Sequence, residues 1–135
     1  MYAFTSKDIA QALVSASQRK VHIKIVLDIA QMKDHFSKSR YLLKQDLKVK
    51  FQMGPGLMHD KFAIIDDREV LTGSFNWTVT ANKRNSENLL IINDSRLAHQ
   101  YSNQFATLWK ESGEVQFNES FGTDSLKSSN SSNKF

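Results

Sequence analysis

His59, Asp60 and Lys61, then Asp66, then Gly73, Ser74 and Asn76 fall within 18 consecutive residues. An imidazole, a fixed cation and two neutral hydrogen-bonding side chains suit transfer of a phosphoryl group. A neutral imidazole can attack phosphorus, while Lys61, Asn76 and Ser74 can stabilise the negative charge that builds on the equatorial oxygens. Such a reaction calls for no metal and no cofactor. A divalent-metal site would need several converging carboxylates, whereas the acids here gather mainly around Asp66. Glu87, in Asn85-Ser86-Glu87-Asn88, is a carboxylate suited to orient the His59 ring.

Two strands must carry these side chains. The apolar run Phe62 to Ile65 and the stretch Val70 to Phe75 are short and bounded by turn residues, with Asp66-Asp67-Arg68-Glu69 between them, so a hairpin is expected. In a strand alternate residues share a face, which pairs His59 with Lys61 and Ser74 with Asn76. If Ile65 opposes Val70 without a bulge, Lys61 lies across from Ser74 and His59 across from Asn76, with Cβ atoms ~5 Å apart. All four then share one face. Asp66 falls at the turn, outside the reacting group, as structural support together with Gly73.

The flanking chain alternates helix and strand. A helix is expected over Thr5 to Ser17, opened by Thr5 with Asp8 three positions on and striped by Ile9, Ala12, Leu13 and Ala16. Val21 to Leu27 alternates as a strand, with Val21, Ile23, Ile25 and Leu27 on one face. Residues 30 to 45 show helical spacing of Met32, Phe36 and Leu43, and Leu47 to Phe51 returns to period two. Met53 to Met58 contains two of the five glycines and the only proline, and reads as the loop that delivers the chain to His59. Asn88 to Ile92 is a further strand. Asp94 or Ser95 then caps a helix bearing Leu97, Tyr101, Phe105 and Leu108.

The length of 135 residues fits one domain. Its expected extent is residues 1–111, followed by a Ser/Asn-rich, flexible tail over residues 112–135. No cysteine is present, which removes disulfides, Cys-based zinc sites and a thiolate nucleophile. No apolar run approaches the ~20 residues of a membrane span, so stable membrane insertion is not expected. Residues 1 to 6 lack the layout of a signal peptide, and the compartment stays open. The net charge of +4 is uneven: residues 1 to 50 hold ten Lys/Arg against four Asp/Glu, and the rest holds eight against ten. Lys33, Lys38, Arg40, Lys44, Lys48 and Lys50 either attract a polyanion such as nucleic acid or form a solvated face.

His59-x-Lys61, four residues, Asp66, six residues and Gly73-Ser74-x-Asn76 together match the HKD signature of the phospholipase D superfamily. From Tyr2 through Asn85-Ser86-Glu87-Asn88 to Trp109 the chain resembles its small bacterial endonucleases. The resemblance implies an α/β fold, a mixed β-sheet flanked by helices, with one motif per chain and an active site shared by a homodimer. It implies that His59 of one subunit forms a phosphohistidine and His59 of the other protonates the leaving oxygen. Lys61 and Asn76 would hold phosphate oxygens, Ser74 would support them, and Glu87 would orient His59. The expected function is metal-independent endonucleolytic cleavage of nucleic acid, DNA or RNA, single strands preferred. A phospholipase acting on lipid, and a nucleic-acid-binding module with a weakened site, are the alternatives. The same likeness allows a periplasmic or secreted location if an N-terminal signal is missing from this sequence. Members usually carry a helix and most of a strand before Tyr2-Ala3-Phe4, whereas this chain begins inside that strand. His22, His35 and His99 have no comparable company and read as surface or packing residues. Phe75 is assigned to the core, and Trp77 to either core or base stacking.

Overall fold

A computed structural model describes residues 1–115 of the chain. Helix α1 spans Lys7–Gln18, strand β1 Lys24–Asp28, a 3₁₀ turn Ile29–Met32, α2 Ser39–Lys44, β2 Lys48–Gln52, β3 Phe62–Ile65, β4 Glu69–Gly73, α3 Val79–Lys83, β5 Leu89–Asn93 and α4 Ser95–Glu111. Strands β1 and β2 pair in parallel, while β3, β4 and β5 form an antiparallel sheet with β4 in the middle. The architecture is α/β with mixed strand pairing and flanking helices, as expected.

Local chemistry sets the boundaries. Ser6, rather than Thr5, caps α1: its hydroxyl accepts from Ile9 N at 3.3 Å, while the backbone N–H groups of Thr5 and Ser6 both donate to Trp77 O. The helix expected over residues 30 to 45 is broken. Asp34 Oδ1 accepts from Phe36 N at 2.8 Å, and Ser37 Oγ accepts from Ser39 N at 3.1 Å. Side chains that bond the backbone two residues on favour turns over helix, so only the 3₁₀ turn and the short α2 form. Strand β1 buries Ile25, Val26 and Leu27 in succession, not one alternating face, because a parallel strand is covered on both sides.

The N-terminal segment ties the two sheets together. Phe4 bridges Trp77, Phe4 N donates to Gln31 Oε1 at 3.1 Å, Lys38 N donates to Phe4 O at 2.9 Å, and the Met1 amine donates to Val26 O at 2.8 Å. Phe4 is fully buried and meets the Trp77 ring edge-on at 5.2 Å. Trp77 therefore belongs with the core. Replacing Phe4 with alanine is expected to cost about 3–5 kcal/mol, read as a lowered midpoint in urea unfolding; a midpoint within error of the parent chain would remove this segment as the tie between the sheets.

Ser112 is buried, and Gly113 N donates to Phe51 O at 3.0 Å while its carbonyl accepts from Phe51 N at 2.8 Å. The chain thus stays attached beyond residue 111. The rest of the expected tail, residues 116–135, lies outside the described residues. Among the described residues no helix is long and apolar enough to cross a membrane.

Candidate functional site

The strand register differs from the expectation by one residue. Asp66 and Asp67 both take left-handed conformations, φ 52° each, and Arg68 N donates to Ile65 O at 3.0 Å. Aspartate tolerates this region because its short polar side chain bonds locally, and two such residues build the tight turn whose twist suits a hairpin. The loop is shortened, Ile65 opposes Glu69 instead of Val70, and pairing ends at Phe62 and Thr72. His59 and Lys61 precede β3, and Ser74 and Asn76 follow β4. The cross-strand pairs Lys61 with Ser74 and His59 with Asn76 are therefore not formed.

The same side chains meet by another route. Both chain segments leave the hairpin at its open end and border a cavity of about 610 Å³ lined by His59, Lys61, Gly73, Ser74, Asn76 and Tyr101. Buried Asp28, at the end of β1, fixes the approach to His59: one carboxylate oxygen accepts from Ala30 N at 2.9 Å and the other from Met58 N at 2.8 Å. Met58 is itself buried, so His59 emerges from an anchored residue into the open. The Lys61 ammonium donates to His59 O at 2.7 Å and lies 3.3 Å from His59 Nδ1. Burial pulls the Lys61 ammonium below its ordinary value, opposed by the charges of Asp60 and Glu87.

Asn76 Oδ1 accepts from Ala3 N at 3.2 Å. That bond fixes which end of the amide is used and leaves its NH₂ group to donate elsewhere. Ser74 and the segment 87–88 hold each other closely. Ser74 N donates to Asn88 O at 3.1 Å and to Asn88 Oδ1 at 2.8 Å, Asn88 N donates to Ser74 Oγ at 3.0 Å, and Ser74 Oγ donates to Glu87. Glu87, expected on the His59 ring, accepts from Ser74 and from Asn85 Nδ2 at 2.9 Å instead. These bonds draw it toward Ser74, because Gly73 pairs with Leu89 and brings the start of β5 against the end of β4. The hydrogen bonds from Ser74 and then Asn85 hold the Glu87 carboxyl below its ordinary 4.5. A depressed carboxylate contributes its stability fully above about pH 4.5 and loses it as the pH falls through the lowered value.

At Gly73 the end of β4 lies against the Asn88 and Leu89 backbone where β5 begins, and Asp66 sits in the exposed turn at the far end of the hairpin. Three lining residues escaped the sequence reading. Tyr101 and Gln104 reach the cavity from α4, and Thr72 from β4. Tyr101 is a rung of the helical stripe by its spacing, and its ring also meets Phe62 edge-on at 5.1 Å. Tyr2 is the fourth omission; its ring lies 4.8 Å from that of His59. His22, His35 and His99 are exposed. Phe75 is half-buried.

The basic half is partly occupied by internal contacts. Arg40 donates to Met32 O at 2.9 Å, and Lys50 donates to Trp109 O at 3.2 Å with its ammonium 4.8 Å from the indole centroid. Lys33 and Lys48 remain exposed. Among the described residues no three histidine or acidic side chains are grouped as metal ligands.

Residues 1–109 match the family model described as cardiolipin synthase, PLD-like domain. The chain is 42% identical over 117 residues to a Rickettsia typhi protein named phospholipase D, covering 86% of this chain and 56% of that protein. It is 35% identical over 111 residues to human mitochondrial cardiolipin hydrolase, covering 82% and 44% respectively. The chain thus spans about half the length of these relatives. Among solved structures, Nuc from Salmonella typhimurium, a phospholipase D family member, superposes with a TM-score of 0.80 at 33% identity, covering 86% of this chain and 78% of that one. NucT from Helicobacter pylori gives 0.75 at 29% identity, covering 83% and 77%.

Proposed function

We propose, since this chain belongs to the phospholipase D superfamily, that it is a phosphodiesterase cleaving nucleic acid through a phosphohistidine on His59. The observation that carries the reading is the shared cavity: an exposed imidazole, a half-buried ammonium 3.3 Å from it and an amide with its oxygen already used all border one open space. Similarity to Nuc and NucT supports the assignment.

The chemistry follows from these groups. A phosphodiester anion entering the cavity competes for the protons of Lys61, which moves from the His59 ring onto a non-bridging oxygen, and the Asn76 NH₂ group donates to another. The neutral imidazole attacks phosphorus and forms an N–P bond as the ester P–O bond breaks. The departing oxygen takes a proton from His59 of a second copy of the chain, since the described chain places one histidine at the cavity. Water then attacks the phosphohistidine, gives its proton back to that second histidine, and releases the phosphate ester. Glu87 holds Ser74 at the rim of the phosphate site. No step draws on a metal ion.

Single-stranded and duplex DNA and RNA, each incubated with the protein in excess EDTA, test the reading. Cleavage is expected to persist undiminished, with single strands cut faster because one backbone enters a shared cleft more readily than a duplex. Complete dependence on added divalent metal would overturn the mechanism. A lipid substrate is the second reading, favoured by the relative named cardiolipin hydrolase and by Met53 and Leu57, both exposed on the loop leading to His59. Release of phosphatidic acid from phospholipid vesicles without nucleic-acid cleavage would put that reading first.

A further inference from the structure

We propose that Tyr2 is a positioning residue for the reactive pair, its ring holding the His59 imidazole and the Lys61 ammonium toward one phosphate group. The proposal rests on the phosphodiesterase reading above. Its basis is a pair of contacts made by a single ring: the imidazole lies 4.8 Å away, tilted by 53°, and the Lys61 ammonium lies 5.4 Å from the ring centroid. The first distance falls within the range of interacting aromatic pairs. The second is within the reach at which an aromatic face attracts a cation.

Lys61 has several rotatable bonds, and ordering such a side chain is entropically costly. Among the described residues its ammonium bonds only to His59 O and Nδ1, on the residue it must serve. The Tyr2 ring supplies a third support that does not consume an N–H donor. Two of the ammonium protons face His59, and a phosphate oxygen can accept one of the three while the ring keeps the lysine in place.

Tyr2 is itself held from both sides. Met1 is bonded to β1, Ala3 N donates to Asn76 Oδ1, and Ala3 O accepts from Trp77 N at 3.1 Å. One short segment thus sets the His59 ring, the Lys61 ammonium and the Asn76 amide against one another. Among the described residues the Tyr2 hydroxyl makes no hydrogen bond, so the ring, not the hydroxyl, carries the role. The charges that act on Lys61 come from Asp60 and Glu87; neither replaces an aromatic face.

The test uses the full chain and bis(4-nitrophenyl) phosphate as a soluble phosphodiester. Tyr2→Phe is expected to keep kcat within about twofold, while Tyr2→Leu lowers it by about three- to thirtyfold with a smaller change in KM. Fluorinated phenylalanines at position 2 preserve the ring's shape and weaken its attraction for cations, so kcat should fall stepwise as fluorines are added. A rate that is flat across the fluorine series, a Tyr2→Phe variant as impaired as Tyr2→Leu, or parental kcat in Tyr2→Leu would overturn the proposal. His59→Ala is run alongside. Parental activity in that variant overturns the phosphohistidine reading itself, whereas its loss with a flat fluorine series overturns only the role of Tyr2. An activity-independent readout is the ring-current shift of the Lys61 ε-methylene protons. It should be present in the parent and Tyr2→Phe and absent in Tyr2→Leu; equal shifts in all three would show that ring and ammonium do not meet.

Discussion

His59→Ala should reduce phosphodiester cleavage by about 10³-fold or more while changing the affinity for single-stranded nucleic acid only a few-fold. The disparity follows from what borders the cavity. His59 is the one histidine there, and the other three are exposed elsewhere on the chain. On the proposed mechanism Lys61 keeps its charge-stabilising position but cannot replace the imidazole, which serves as nucleophile in one copy and as acid in the other. On the same proposal binding draws on Lys61, Asn76 and dispersed surface lysines, none of which the substitution removes. Affinity is measured by fluorescence anisotropy at fixed salt, because the electrostatic part of binding depends steeply on ionic strength. Cleavage that survives in His59→Ala would exclude a phosphohistidine at this position.

The same variant tests the shared site. Equal amounts of parent and His59→Ala chains, unfolded together and refolded, give about one quarter parent homodimers by random pairing in a two-fold assembly. If each reaction needs both histidines, activity falls to about one quarter of an equal mass of parent protein. Activity near one half would mean that each chain works alone and draws its acid from elsewhere.

Composition and local pattern carried much of this architecture. The apolar runs behind β1, β2, β3 and β5 and the Asp94 cap of α4 are signals contained in a few adjacent residues. The motif residues could be gathered into a site because their spacing brackets a hairpin. The register could not be read in the same way. It depends on Asp66 and Asp67 both adopting positive φ, which shortens the loop by one residue relative to a simple four-residue connection. The interrupted segment before α2 hides for a similar reason, since Phe36 keeps a helical spacing while Asp34 and Ser37 bond the backbone around it. Tyr2, Tyr101 and Gln104 lie far from His59 in the chain and reach the site through tertiary packing, which periodicity does not encode. The partner of Glu87 was missed because the closeness of β4 and β5 at Gly73 draws its carboxylate to Ser74.

Among the described glycines Gly73→Ala should be the most damaging substitution, costing about 2–3 kcal/mol and lowering activity through displacement of Ser74. A β-carbon at this position would press into the Asn88 carbonyl oxygen, 3.0 Å from the carbonyl carbon and 3.1 Å from Leu89 Cα. These are backbone atoms, so no side-chain rotation relieves the overlap. The start of β5 must move away from β4, and the bonds from Ser74 N to Asn88 and from Asn88 N to Ser74 Oγ lengthen with it. Glu87 rides on the same segment and loses its fixed approach to Ser74. Gly54→Ala is the matched control, because a β-carbon there meets nothing within 4 Å, and its stability should stay within about 0.5 kcal/mol of the parent. Urea unfolding compares the two variants, and cleavage below the unfolding transition separates a displaced site from a depleted folded population. Equal stabilities would mean that β4 and β5 separate at Gly73 without cost. A destabilised but fully active Gly73→Ala would remove the Ser74 and Glu87 cluster from the reaction.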